Sequence, residues 1–168
     1  MTVQRICIRC VMDTTAEEIT FDDNGVCSFC HSFDREVKPI LDRAHSGEGR
    51  KVLNEIVDAI RKSGRGKPCD SVLGISGGTD SSYLAYLARQ LGLRPLVVHV
   101  DTGWNTPESE RNVKSLVSQL GFDLEIIRVD WEEMRDLQIA FYKASVKNCE
   151  IPQDHAFLAA LYKKAAEI

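Results

Sequence analysis

The sequence predicts an α/β fold: a parallel sheet layered with helices, preceded by a small cysteine-rich segment. Three features of its 168 residues predict it. Short β-branched runs alternate with amphipathic helical patterns from Ser71 onward, and repeated strand–helix units give parallel strands with right-handed crossovers. Four of the six cysteines fall as Cys7-x2-Cys10 and Cys27-x2-Cys30. A turn rich in glycine and hydroxyls, Ser76-Gly77-Gly78-Thr79-Asp80-Ser81-Ser82, stands between the first strand and the first helix of the repeat.

Residues 1–33 hold the cysteine pairs and are short on helical pattern. Ile19 and Phe21 alternate with polar residues, and Asp23-Asn24-Gly25 makes a hairpin turn with Cys27 just beyond it. Residues 34–69 are a polar helical linker. Its legible helix covers about residues 49–62, with Val52, Leu53, Ile56, Val57 and Ile60 on one face and Gly64 as its stop.

The domain from 70 to 168 opens with a buried strand at 71–76. Leu84, Leu87, Ala88 and Leu91 share a face of the next helix, which Gly92 closes. A second strand covers 95–100. Thr106 caps a helix with Pro107 at its first position, striped by Val113, Leu116, Val117 and Leu120 and ended by Gly121. A third strand covers 124–129. Met134, Leu137, Phe141 and Ala144 mark a third helix, and Pro152 begins a last one through Phe157, Leu161 and Ile168. Three parallel strands followed by a terminal helix leave an exposed sheet edge, so the domain reads as truncated at its C-terminal end.

The composition, 43% hydrophobic and 27% charged, is that of a globular chain and excludes collagen-like and largely disordered classes. A net charge of −4 argues against broad wrapping of nucleic acid or an anionic membrane. The longest apolar run, 156–162, is far below the roughly 18 residues of a membrane span. Arg5 and Arg9 interrupt the first ten residues and no secretory signal is visible, so the expected location is cytoplasmic.

Reduced cytosolic thiols at this spacing read as metal ligands. Two Cys-x2-Cys turns fill a tetrahedral zinc sphere through Cys7, Cys10, Cys27 and Cys30, leaving no open position for an activated water, so the expected role is a structural zinc ribbon or knuckle. A redox or iron–sulfur centre and unliganded thiols are the alternatives. In the 76–82 turn, two glycines admit a ligand close to the backbone, and the first N–H groups of the helix have no internal partners. With the hydroxyls of Ser76, Ser81 and Ser82 they form a phosphate cradle, distinct from the Walker loop because the turn carries no lysine. Asp80 is then a candidate Mg²⁺ ligand; the alternative is an early-helix acid that favours the dipole.

Ser-Gly-Gly-x-Asp-Ser after a hydrophobic strand resembles the pyrophosphate loop of the N-type ATP pyrophosphatases, the PP-loop superfamily, with its Rossmann-like sheet. The runs from Arg5 to Thr15 and Ile19 to Cys27, then His99-Val100-Asp101-Thr102-Gly103-Trp104-Asn105, Asp130-Trp131-Glu132-Glu133 and Ile151-Pro152-Gln153-Asp154-His155-Ala156, are similar to the N-acetyl sugar amidotransferases. Those enzymes, of lipopolysaccharide and flagellar-sugar pathways, turn an acetamido group into an acetamidino group. Family members are about twice this long, and this chain has Thr79 where valine is common.

The resemblance implies ATP and Mg²⁺ at residues 76–82, an adenylated intermediate, an N-acetyl sugar or sugar-nucleotide substrate, and ammonia from a separate glutaminase similar to that of imidazole glycerol phosphate synthase. With later strands missing, it implies ATP binding without turnover by this chain alone. A tRNA-thiolating pyrophosphatase and a non-catalytic zinc-organised binding module are the alternatives; the acidic balance counts against the first.

Asp101 ends the second strand, at the edge where open α/β sheets bind ligands, and is a candidate to hold Mg²⁺ or position the nucleophile, or else a loop cap. His155 is a candidate donor to a leaving oxygen, or a bystander beside a helix-capping Asp154. Trp104 is expected to pack against the sheet, with stacking on a base or sugar as the alternative. His99 reads as a core residue, and Cys69 and Cys149 as structural or incidental.

Overall fold

A computed structural model describes residues 4–168, which gather into two units, 4–55 and 56–168.

The first unit is organised by its cysteines. Antiparallel bridges Ile6–Asp13 and Phe21–Cys27 close two short loops. Cys7, Cys27 and Cys30 form its small core, against which Cys10, Ile19, Phe21 and Val26 pack. A segment of this size cannot bury enough apolar surface to fold by that means alone. Helix α1 (Ser28–Ser32) starts directly after Cys27 and continues through a π-helical turn, Phe33–Val37, into α2 (Lys38–His45). Residues 1–33, short on helical pattern, carry the five-residue α1 at their end, too short a helix to show a period. Helix α3 (Glu48–Ser63) extends the expected 49–62 helix by one residue at each end.

In the second unit three parallel strands lie in the order β1-β2-β3: β1 (Ser71–Gly74), β2 (Pro95–Asp101) and β3 (Asp123–Arg128). Strand β1 is two residues shorter than expected. Ile75 still donates to the Val98 carbonyl at 2.9 Å, and the chain then turns away at the glycine pair. Central β2 buries Val97 and Val98 completely. Helix α5 (Pro107–Leu120) has the expected ends: the Thr106 side chain accepts from the Ser109 N–H, and Gly121 is left-handed.

Helix α4 (Thr79–Gln90) corrects its stripe. It buries Ala85 and Ala88 and leaves Leu84 exposed, since small residues let a helix close on its neighbours. Helix α6 (Trp131–Lys143) does likewise. Its inner positions are Met134 and Gln138, with Leu137 exposed, and the buried Gln138 amide donates to the Cys149 carbonyl at 2.5 Å. Helix α7 (Ile151–Glu167) packs on β1 and β2. A Cβ at Gly74 would lie 2.9 Å from Leu161 Cδ1, so this glycine makes room for the helix on the strand. Among the described residues no helix is long and apolar enough to cross a membrane.

Candidate functional site

The four Sγ atoms of Cys7, Cys10, Cys27 and Cys30 all lie within 4.8 Å of one another. The Cys7–Cys30 and Cys10–Cys27 separations are 3.9 and 3.7 Å. Zn–S bonds of about 2.3 Å in a tetrahedron place sulfurs about 3.8 Å apart, which these two separations match, so the donor set is compatible with zinc. The backbone already favours thiolate. Burial pushes the Cys7 thiol up, but the peptide N–H groups of Arg9, Cys10 and Cys27 pull it down to about 6; those of Arg9 and Cys27 approach Cys7 Sγ at 3.4 and 3.3 Å. Burial pushes Cys30 up to about 12, so its proton is one that a cation must displace. Arg9 holds the first turn against the following helix through two bonds to Asp34, of 2.5 and 2.7 Å, which keep the Asp34 carboxyl below its ordinary range.

The turn at 76–82 stands where β1 gives way to α4. Ser76 and Ser81 hydroxyls lie 3.1 Å apart, Ser81 Oγ donates to the Gly78 carbonyl at 3.2 Å, and the Gly78 N–H donates to Ser76 Oγ at 3.3 Å. These bonds tie the loop to itself. Gly78 caps α4 without a side-chain bond, which leaves the N–H groups of the first helical turn to an incoming acceptor. The two glycines have different roles. Gly77 has φ +83, and a Cβ there would meet the Ser109 carbonyl oxygen at 2.9 Å; Gly78 is extended, and only Ser76 Oγ, at 3.4 Å, would touch a Cβ. The fold therefore requires Gly77, whereas Gly78 keeps the mouth of the cradle open. Thr79, Asp80 and Ser82 occupy the first turn of α4, with Asp80 exposed there.

Beside the loop is a largely apolar cavity of about 250 Å³, lined by Gly74, Ser76, His99, Asn105, Phe157 and Leu161 among others. His99, 3% exposed, donates from Nδ1 to the Ile75 carbonyl at 2.8 Å. Its Nε2 accepts from Asn105 Nδ2 at 3.1 Å, and that amide also donates to Asp101 Oδ1 at 3.1 Å. The chain from Ile75 through His99 and Asn105 to Asp101 links the residue before the cradle to the carboxylate at the end of β2. Asp101 also accepts from the Gly103 N–H at 2.9 Å, the capping contact expected as one of its two readings, and faces Arg128 Nε at 3.8 Å.

Spacing gave no reason to assign a role to Asn105 or Gln153. Asn105 is legible only as the polar residue just before the Thr106 cap, and Gln153 accepts a 3.2 Å bond from the buried Thr102 hydroxyl, which brings the start of α7 to the end of β2. Asp154 does not cap α7; Glu150 holds the N-cap position, and the Asp154 N–H bonds to its carbonyl, because the helix begins one residue ahead of Pro152. His155 is exposed on the same turn. Trp104 is about half exposed, and its ring meets Trp131 edge-on, at 4.9 Å and 69° between planes.

Comparison with known proteins agrees with this geometry. Residues 70–163 match the model of the phosphoadenosine phosphosulfate reductase domain. An NMN synthetase from Francisella tularensis is similar, with a TM-score of 0.50 and 20% identity over 70% of this chain and 50% of that one, a likeness that shows the fold. An NH3-dependent NAD synthetase from Campylobacter jejuni matches with a TM-score of 0.45 and 23% identity over 70% and 52%. The chain thus spans about half the length of these solved structures. No curated protein matches it. With its cradle between β1 and α4 of a parallel sheet, the chain belongs to the phosphoadenosine phosphosulfate reductase domain family, within the PP-loop ATP pyrophosphatase fold.

Proposed function

We propose that this chain carries the nucleotide-binding part of an ATP-dependent amidotransferase that converts the acetamido group of an N-acetyl sugar, or sugar nucleotide, into an acetamidino group in surface polysaccharide biosynthesis. The observation that carries the proposal is the open cradle at 76–82 on a chain that also holds a four-cysteine cluster, a pairing that accords with the sequence runs resembling those amidotransferases.

An amide oxygen is a poor leaving group, so exchange for nitrogen needs activation. The acetamido oxygen attacks the α-phosphorus of ATP, the α–β anhydride bond breaks, and pyrophosphate departs with the bonding electrons. Ammonia then adds to the imidate carbon, the C–O bond breaks, AMP leaves, and a proton lost from nitrogen gives the acetamidine. In this reading the N–H groups at the start of α4 and the hydroxyls of Ser76 and Ser81 hold the departing pyrophosphate. Asp80 would hold Mg²⁺, which offsets phosphate charge when bound. The cavity walled by Phe157 and Leu161 takes the adenine, and Asp101, with its amide partner Asn105, faces the reacting group. His155 stands at the same end of α7 as a proton donor. The cysteine cluster holds structural zinc, and a separate glutaminase supplies ammonia.

The test is pyrophosphate release by the whole enzyme of which this chain is proposed to be the nucleotide-binding part, with ATP, Mg²⁺, a sugar nucleotide and ammonium. Release that needs both the N-acetyl sugar and ammonium supports the proposal. Release stimulated by tRNA instead moves the chain to the thiolating class, and ATP binding without release under any of these conditions favours a non-catalytic module.

A further inference from the structure

The two tryptophans that the sequence contains stand together at the carboxyl edge of the sheet. Trp104 lies in the loop after β2, and Trp131 opens α6 after β3. Both stay wet: Trp104 is 48% exposed and Trp131 41%. Indoles are among the most buried side chains on average, and their exposure in adjacent pairs is uncommon unless something else covers them.

The backbone is shaped around the pair. Gly103 has φ +84, and a Cβ there would lie 2.3 Å from Trp131 Cε3 and 3.0 Å from Cζ3. Only glycine lets the Trp131 ring close over this turn. The Asp101 carboxylate fixes the turn by accepting from the Gly103 N–H, and the Asp130 side chain fixes the start of α6 by accepting from the Glu133 N–H. The rings are thus held at 69° by two rigid attachments, presenting an angled apolar corner. Polar groups border it: Asp101 is two residues before Gly103, and Arg128, its side chain 81% exposed, faces Asp101 at 3.8 Å.

From this juxtaposition we infer that the Trp104–Trp131 corner is a carbohydrate platform, on which the pyranose ring of an N-acetylhexosamine stacks. The electron-rich face of an indole attracts the weakly positive C–H groups on one side of a pyranose, and a second ring set at an angle gives an acetamido methyl an apolar wall. Asp101 and Arg128 offer the hydroxyl and phosphate partners that a bare hydrocarbon ligand would not need. The inference rests on the proposed function and adds to it the place where the sugar is gripped, on the same edge as the ATP cradle yet on different loops.

Because the chain has no other tryptophan, its tryptophan fluorescence, excited beyond the absorption of the four tyrosines, reports on this corner alone. The experiment titrates the protein with UDP-N-acetylglucosamine, with UDP, and with Mg²⁺-ATP, following tryptophan emission and, in parallel, heat of binding. A saturable emission change is expected with UDP-N-acetylglucosamine and not with UDP or ATP. Trp104→Ala and Trp131→Ala should each weaken sugar-nucleotide binding roughly three- to tenfold or more, while ATP binding by calorimetry is unchanged. Trp104→Tyr, which keeps a stacking face, should restore most of it and controls for folding. An emission change driven by ATP or UDP alone would overturn the assignment in favour of a base-stacking site. Unaltered sugar-nucleotide affinity in both alanine variants would also overturn it, and sugar-dependent pyrophosphate release in those same variants would leave the proposed function standing. If no N-acetyl sugar nucleotide binds while ATP does, both fall.

Discussion

Replacing each glycine of the cradle by alanine separates what the fold needs from what a phosphate needs. Gly77 sits at φ +83, where an L-residue pays roughly 1–2 kcal/mol of backbone strain. Its added methyl would also press on the Ser109 carbonyl oxygen at 2.9 Å and Val113 Cγ2 at 3.2 Å, and overpacking of that kind costs about 1–3 kcal/mol. The stiffer unfolded chain returns about 0.4–1 kcal/mol. The net loss for Gly77→Ala is therefore about 2–3 kcal/mol, a fall in Tm on the order of 10 °C or more for a domain of this size. Gly78→Ala meets only Ser76 Oγ at 3.4 Å from an ordinary extended backbone, so its stability should stay within about 1 kcal/mol. Gly78→Val should likewise fold, yet lose ATP affinity, because its side chain stands at the mouth of the first helical turn. Thermal unfolding followed by circular dichroism, with ATP binding by calorimetry, reads both quantities. An unchanged Tm for Gly77→Ala would refute the strain argument, and full ATP affinity in Gly78→Val would place the phosphates elsewhere.

Elemental analysis should find one zinc per chain, and chelation should unfold the first unit while sparing the sheet, because metal ligation stabilises a segment with almost no other core; an iron–sulfur absorbance would contradict this. Asp80→Ala should abolish the Mg²⁺ dependence of ATP binding and leave the fold intact, as measured by calorimetry with and without the cation. Lys164 has its pKa raised by bonds to Glu125 and Glu167, so the stabilisation it gives α7 is fully present below about 10.5 and is lost as pH rises through the higher folded value. Hydrogen exchange of α7 should accelerate on that alkaline side, and Lys164→Met should remove the step. Asn105→Ala should leave His99 Nε2 without its donor, which the ring ¹⁵N shifts would report, and lower ATP affinity if the chain from Ile75 to Asp101 holds the cradle.

The parts legible in the sequence were those written in local chemistry. Thr106-Pro107 and Gly121 mark both ends of α5, since capping depends on a few adjacent residues. Four cysteines at zinc spacing converge because each pair sits on one turn. What the sequence hid depends on neighbours distant along the chain. Helix α6 turns Gln138 inward, against its apolar pattern, because the Cys149 carbonyl eleven residues on needs a donor. The inner face of α4 is Ala85 and Ala88, and of the stripe read from the sequence Leu84 stands exposed. At the candidate site the loop at 76–82 announces itself by composition, whereas the bridge from His99 through Asn105 to Asp101 appears only once β1 and β2 are side by side. Trp104 needed Trp131, 27 positions away, to show why it stays exposed.

In the proposed function an acetamido oxygen attacks the α-phosphorus of ATP over the cradle at 76–82. That step is tested most directly by the fate of that oxygen. The whole enzyme that carries this nucleotide-binding part is supplied with ATP, Mg²⁺, ammonium and an N-acetyl sugar nucleotide labelled with ¹⁸O in its acetamido group, and the products are analysed by mass spectrometry. The expected products are AMP carrying one ¹⁸O, unlabelled pyrophosphate, and a sugar carrying an acetamidino group. Label appearing in inorganic phosphate beside ADP, or retained in the sugar while ATP is cleaved, would contradict that step.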